Sequence, residues 1–243
     1  VIPHLTSSFT VVVPDLRGIG DSTHPDSGYD MGTVADDLAE LMTILGHELF
    51  HLVGEDWGAA AAYQLAARHP SRIQSLVFQE MLLPGFGLEE WATFKFDRPE
   101  THLWHVAFYY VRDIPELLIA GREREYFTWF LKNEAYDPTA IDDDALDEYV
   151  TKYAQPGGVR SMCNIYRATE TNVKLNREAA GKGKLKMPVL AVGAESFIGV
   201  EVKKQMENVA EKVTYAEFKY GHQLAEECPE TLAKRYLEFW KSL

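Results

Sequence analysis

Residues 54–58 read Gly54-Glu55-Asp56-Trp57-Gly58, between the apolar run LFHLV (49–53) and an alanine-rich stretch. An acid centred between two glycines, where a strand turns into a helix, is pushed outward at the end of a sheet. A helix cap would explain the aspartate, but it would not explain a glycine on both sides. A carboxylate placed there can attack saturated carbon and form an alkyl ester, which then needs a water and a base for release. His222 in YGHQLAEECPE (220–230) follows the last apolar run and is the expected base. A third group must orient the imidazole and stabilise its charged form. Glu80, after IQSLVFQ (73–79), and Glu195, after MPVLAVGA (187–194), both fit. Sequence order does not separate them, and Glu80 is preferred. The backbone N–H of Trp57 would open the following helix, where it can hold an oxyanion.

These residues need a scaffold that brings several strand ends together. FTVVVPD (9–15), LFHLV (49–53) and IQSLVFQ (73–79) read as buried strands, with helices over 34–46 and 57–69 between them. Continuous apolar strands separated by helices predict a mostly parallel sheet covered on both faces. From about Leu83 to Lys184 the periodicity is helical, with helices expected over 112–133, 142–154 and 159–180 and an exit loop over 179–188. Strand and helix then alternate again through 187–194, 200–210, 213–220 and 229–243. The expectation is one α/β core, residues 1–84 and 185–243, interrupted by a helical cap over 85–184. Ligands of open α/β sheets bind at the strand carboxyl ends, so such an insert is placed to be a lid.

Composition narrows the partners. The chain has 243 residues, 46% hydrophobic and 25% charged, which is ordinary for a folded domain. A net charge of −13 disfavours nucleic acid and anionic membrane surfaces. The expected ligand is a small, weakly polar molecule. The two cysteines, Cys163 and Cys228, form no disulfide framework, so a reducing, cytoplasmic location is the default. A signal peptide removed before Val1 would leave the same sequence. No cysteine and histidine cluster suggests a metal site, and no metal or other cofactor is expected.

The chain resembles the α/β-hydrolase superfamily, in its epoxide hydrolase and haloalkane dehalogenase branch. PDLRGIGDST (14–23) resembles the family's D-x-x-G-x-G-x-S loop, VGEDWGA (53–59) its G-x-D-W-G elbow, and His222 its late histidine. Within the insert, WHVAFY (104–109), IAGRERE (119–125) and NIYRA (164–168) resemble the Cif-like bacterial epoxide hydrolases. That resemblance implies a cap histidine and tyrosine on the epoxide oxygen, at His105 and Tyr166, and it implies Glu80 as the acid. Tyr109, Tyr110 and Tyr153 are fallback candidates. The implied activity is conversion of a small apolar epoxide to a vicinal diol, and the resemblance is compatible with a homodimer.

Three departures from the family pattern stand out. Glu55 replaces the usual histidine before the nucleophile and could raise the pKa of Asp56. Cys228 has no expected cysteine partner beside the histidine. The family's opening hairpin, a further strand and its H-G-x-P loop have no counterpart before VIPHLTSSF (1–9), which resembles the helix that follows them, so a preceding piece of some tens of residues is expected. The nearest rival activity is haloalkane dehalogenation, with the indole of Trp57 on a leaving halide. A fluoroacetate dehalogenase would carry arginine in place of Trp57. A non-catalytic binding relative is a further alternative, because fold does not fix function.

Overall fold

The computed structural model describes residues 1–93 and 103–243. Residues 94–102, inside the predicted cap, lie outside the described residues. The first elements are α1 (Ile2–Leu5) and α2 (Met31–Ile44). The core continues with β1 (Phe50–Glu55), α3 (Trp57–Arg68) and β2 (Ile73–Gln79). Among the described residues seven helices then intervene: α4 (Leu88–Trp91), α5 (Trp104–Tyr110), α6 (Ile114–Ile119), α7 (Glu123–Glu134), α8 (Asp143–Tyr153), α9 (Gly158–Arg167) and α10 (Thr169–Lys182). The chain returns as β3 (Val189–Ala194), α11 (Glu201–Val209), β4 (Val213–Phe218), α12 (Leu224–Glu227) and α13 (Pro229–Lys241).

The four strands form one parallel sheet in the order β1-β2-β3-β4. The central pair carries the buried strands: β3, wholly apolar, is buried throughout, and β2 is buried at every position but one. The outer strands carry more exposed residues, and Val53 on β1 is 40% exposed. Helix α3 packs on β1 and β2, and α11 packs on β3 and β4. Ala59, Ala60, Ala61 and Ala62 of α3 are fully buried. Their small side chains let the helix lie close on the strands, burying apolar area at about 25 cal/mol per Å². Among the described residues no helix is long and apolar enough to cross a membrane.

Several predicted elements need correction. FTVVVPD (9–15) is not a strand; its residues join no ladder. An apolar extended run becomes a strand only beside a partner that takes its N–H and C=O groups. The predicted helix over 112–133 breaks at Gly121, whose φ is +78°, into α6 and α7. The predicted helix over 159–180 breaks at Ala168 into α9 and α10. There the Thr169 hydroxyl donates to the Tyr166 carbonyl at 2.5 Å, which competes with the helix ladder. The exit loop starts later than expected, because α10 runs on to Lys182.

Candidate active site

The elbow begins with a steric demand. A Cβ on Gly54 would lie 2.4 Å from the Gly58 carbonyl oxygen and 2.6 Å from the Ala59 Cα, so only glycine fits. The second glycine of the motif has no such constraint, since a Cβ on Gly58 would meet nothing within 4 Å. Between them Asp56 adopts φ +50°, ψ −129°, a strained conformation for a residue with a side chain. Such strain costs on the order of 1–3 kcal/mol and is held by the surrounding structure.

That backbone divides the work of the Asp56 carboxylate. Its Oδ1 accepts from the Trp57 N–H at 2.7 Å. Its Oδ2 lies 3.3 Å from Nε2 of His222. An ordinary cap bond would reach the second or third N–H of the helix, whereas this one goes to the first.

His222 sits in the loop after β4, and its backbone N–H donates to the Glu134 carbonyl at 2.8 Å. Its Nδ1 lies 3.3 Å from Glu80 Oε2. Glu80 directly follows β2 with φ +42°, and its side chain is buried. Its Oε1 accepts from the Ala194 N–H at 2.6 Å and its Oε2 from the Ile198 N–H at 3.4 Å. Glu195, the competing acid, is exposed, and its backbone N–H donates to the Phe218 carbonyl. Accessibility therefore falls along the row, from 40% at the Asp56 side chain to 10% at His222 and 0% at Glu80.

The charges follow this arrangement. Burial acts to raise the Asp56 pKa, but the hydrogen bond and charge of His222 outweigh it and hold the carboxyl below its ordinary value. Burial likewise pulls His222 down, and is overcome by hydrogen bonds to Asp56 and Glu80 and the charges of Glu134 and Asp56, which keep the imidazole well above its usual range. Asp56 therefore shifts down overall, and any rise from the neighbouring Glu55 is outweighed by His222. Glu55 itself is pushed up to about 7 by burial, against the pull of His222.

A small cavity, of about 20 Å³, opens over this row. Asp56, Trp57 and His222 line it from the core, and His105 on α5 and Tyr166 on α9 from the insert. The His105 and Tyr166 rings meet edge to face at 5.7 Å, and Tyr166 meets the Trp57 ring at 5.1 Å. Burial and the nearby Asp56 charge keep the Tyr166 hydroxyl protonated far above neutral pH. The remaining walls include Met81, Leu82, Leu103, Val106, Phe197 and Ile198.

The fallback tyrosines lie elsewhere. Tyr109 is buried and accepts from the Tyr126 hydroxyl at 2.7 Å, Tyr110 is exposed, and Tyr153 stacks on Phe127 at 4.2 Å. Both cysteines are buried and free, and the Cys228 thiol donates to the Leu224 carbonyl.

One residue near the site was not anticipated. Glu134, the last residue of α7, is buried, and its Oε1 lies 3.8 Å from Nδ1 of His105. An acid in the last turn of a helix opposes the macrodipole. That was the available signal, and it is a weak one.

Comparison with known proteins places this geometry. A family model of the alpha/beta hydrolase fold matches residues 1–100. A soluble epoxide hydrolase of Corynebacterium sp. (strain C12) is 32% identical over 248 residues, covering 100% of this chain and 85% of that protein. A fluoroacetate dehalogenase of Burkholderia sp. is 31% identical over 180 residues, 70% of this chain and 57% of that protein. The crystal structure of wild-type Cfl2 from Burkholderia cenocepacia shares 40% identity, with a TM-score of 0.94 over 98% of this chain and 81% of that chain. With a relative at this identity aligned over the whole of this chain and the strand-end array in place, the chain belongs to the α/β-hydrolase superfamily, in the branch of the epoxide hydrolases and haloalkane dehalogenases.

Proposed function

We propose that the chain is an epoxide hydrolase that opens a small apolar epoxide to a vicinal diol through an ester on Asp56, with residues 85–184 as its cap. The observation that carries this is the pairing across one cavity. Asp56 Oδ2 is free of backbone bonds and faces it, while His105 and Tyr166 line the opposite wall. A nucleophile alone would suit any leaving group. Two facing donors suit an oxygen that stays attached to the product.

In the first step Oδ2 attacks an epoxide carbon, and the ring C–O bond breaks with its electron pair going to oxygen. His105 and Tyr166 donate hydrogen bonds to that oxygen as its charge develops. In the second step His222 removes a proton from water, and the resulting hydroxide attacks Cγ of Asp56. The carbonyl oxygen that becomes the oxyanion is Oδ1, which already accepts from Trp57 N–H at 2.7 Å. Collapse breaks the Cγ–Oδ2 bond; the proton held by His222 passes to the departing oxygen, and the proton of the new Asp56 carboxyl makes good the one taken up by the ring-opened oxygen, so the diol leaves and the carboxylate is restored. Esterification neutralises Asp56 and so removes one of the groups that hold the proton on His222. The imidazole becomes a base when a base is needed. Glu80 keeps its orientation throughout.

A haloalkane dehalogenase draws support from one feature, the Trp57 side chain on the cavity wall. A carboxylate-bearing substrate such as fluoroacetate lacks a counter-charge, since no lysine or arginine lines the cavity among the described residues. The test is the intact mass of the His222→Gln variant after exposure to 1,2-epoxyhexane or 1-chlorohexane. An epoxide hydrolase retains the whole epoxide mass. A dehalogenase retains a hexyl group without chlorine. No adduct with either compound rules out both activities.

A further inference from the structure

We propose that Glu227 is a positioning residue for His222: its carboxylate clamps the backbone of the histidine loop to the segment that leaves α7. The proposal rests on the ester at Asp56 for its chemistry, whichever group leaves, and on hydrogen bonds alone for the clamp.

The need for such a residue starts in the backbone. The chain leaving α7 runs beside the chain entering His222, in direct backbone contact. A Cβ on Gly221 would lie 2.3 Å from the Tyr136 nitrogen and 2.5 Å from the Glu134 carbonyl oxygen. The two segments share one bond of their own, from His222 N–H to the Glu134 carbonyl at 2.8 Å. The N–H groups of Gly221, Tyr136 and Asp137 need acceptors too, and a side chain supplies them. Glu227, the last residue of α12, receives all three. Its Oε1 accepts from Gly221 at 2.9 Å, and its Oε2 from Tyr136 at 2.8 Å and Asp137 at 3.0 Å. Bonds to a carboxylate are stronger than those between neutral groups. On the core side, Ser196 N–H donates to the Tyr220 carbonyl at 3.2 Å. The two residues before His222 are thus held from both sides.

The clamp fixes a row with little tolerance. His222 Nε2 lies 3.3 Å from Asp56 Oδ2, and Nδ1 lies 3.3 Å from Glu80 Oε2. Both separations are at the outer reach of a hydrogen bond, so a small shift of the loop breaks the row. Attack by Asp56 on the substrate does not use the imidazole, whereas ester hydrolysis does. The clamp therefore acts on the second step. Glu226, the neighbouring residue, joins α12 to the insert by a separate bond: its Oε1 accepts from the Tyr149 hydroxyl on α8 at 2.5 Å.

The isosteric Glu227→Gln variant tests this. An amide keeps one acceptor oxygen and turns an NH2 toward the remaining N–H groups. The first readout needs no substrate: backbone amide exchange at Tyr136, Asp137, Gly221 and His222 should quicken roughly tenfold or more, with the amides of β2 and β3 unchanged. The second is a single turnover with 1,2-epoxyhexane or 1-chlorohexane. Decay of the adduct should slow roughly 10- to 100-fold, the scale of a 1 Å misplacement, with its formation unchanged. The adduct should then accumulate even with His222 present. Glu227→Asp, which keeps the charge and shortens the reach, should show the same split at smaller size. Glu226→Gln should alter neither rate. Unchanged exchange at those four amides overturns the clamp. Faster exchange with unchanged adduct decay overturns the positioning role. Equal slowing of formation and decay, or equal slowing by Glu226→Gln, makes Glu227 a general support of the insert and overturns it as well. Absence of an adduct with either compound in His222→Gln overturns the ester reading instead, while amide exchange still decides the clamp.

Discussion

The two walls of the cavity are built by different means. The core wall hangs from strand ends: Asp56 follows β1, Glu80 follows β2 and His222 follows β4. Backbone fixes it. Asp56 and Glu80 are two of the three non-glycine residues with positive φ among the described residues, and backbone N–H groups hold both carboxylates. The insert wall hangs from helices α5, α7 and α9, and side chains fix it. His105 packs edge to face on Phe130 at 4.9 Å and on Tyr166 at 5.7 Å. A strained backbone supports one arrangement, whereas packed rings can shift by changing neighbours. Under the proposed mechanism, ester formation and hydrolysis belong to the core wall and the choice of leaving group to the insert wall.

The sharpest way to break this contrast is at the sealed acid. Glu80→Gln should slow ester hydrolysis by roughly 10³–10⁴, the scale seen when the orienting acid of a histidine is neutralised. Glu195→Gln should leave it unchanged. Decay of the adduct after a single turnover measures both, and equal effects would remove Glu80 from the row. On the insert wall Tyr166→Phe removes one of two donors and should cost roughly 10² in the alkylation rate, with ester hydrolysis unaffected. A loss confined to hydrolysis would place Tyr166 on the wrong wall.

The smallest effect concerns stability. Burial raises Glu55 from 4.5 to about 7, so between those pH values the folded chain keeps a proton that the unfolded chain has lost. Stability should therefore fall as pH rises through that window and level off above it. Glu55→Gln should flatten the dependence by about 1–3 kcal/mol, read from denaturant unfolding at pH 4.5 and 8. A parallel pH dependence in both proteins would show that Glu55 is hydrated.

What could be read from the sequence follows the same division. The run 73–79 is buried at all but one position because β2 lies between two strands, and its limits match the observed strand. The elbow was legible because its constraint is local, with Gly54 facing Gly58 and Ala59. FTVVVPD misled, because an apolar run states a preference and the partner strand decides the outcome. Glu80 and Glu195 were indistinguishable in sequence, since each follows a strand. Glu80 has a positive φ and a buried side chain, and no pattern in the sequence records either. His105 and Tyr166 came only through resemblance, and Glu134 not at all. Their meeting depends on how helices far apart in sequence pack together.

The most direct test of the central claim is the origin of the diol oxygen in a single turnover, with enzyme in excess of 1,2-epoxyhexane in water enriched in 18O. The incoming oxygen of the diol should derive from the Asp56 carboxylate, leaving the diol unlabelled and the peptide containing Asp56 heavier by one 18O. A labelled diol with an unlabelled Asp56 peptide would show that water attacks the epoxide directly, and the ester on Asp56 would have to be abandoned.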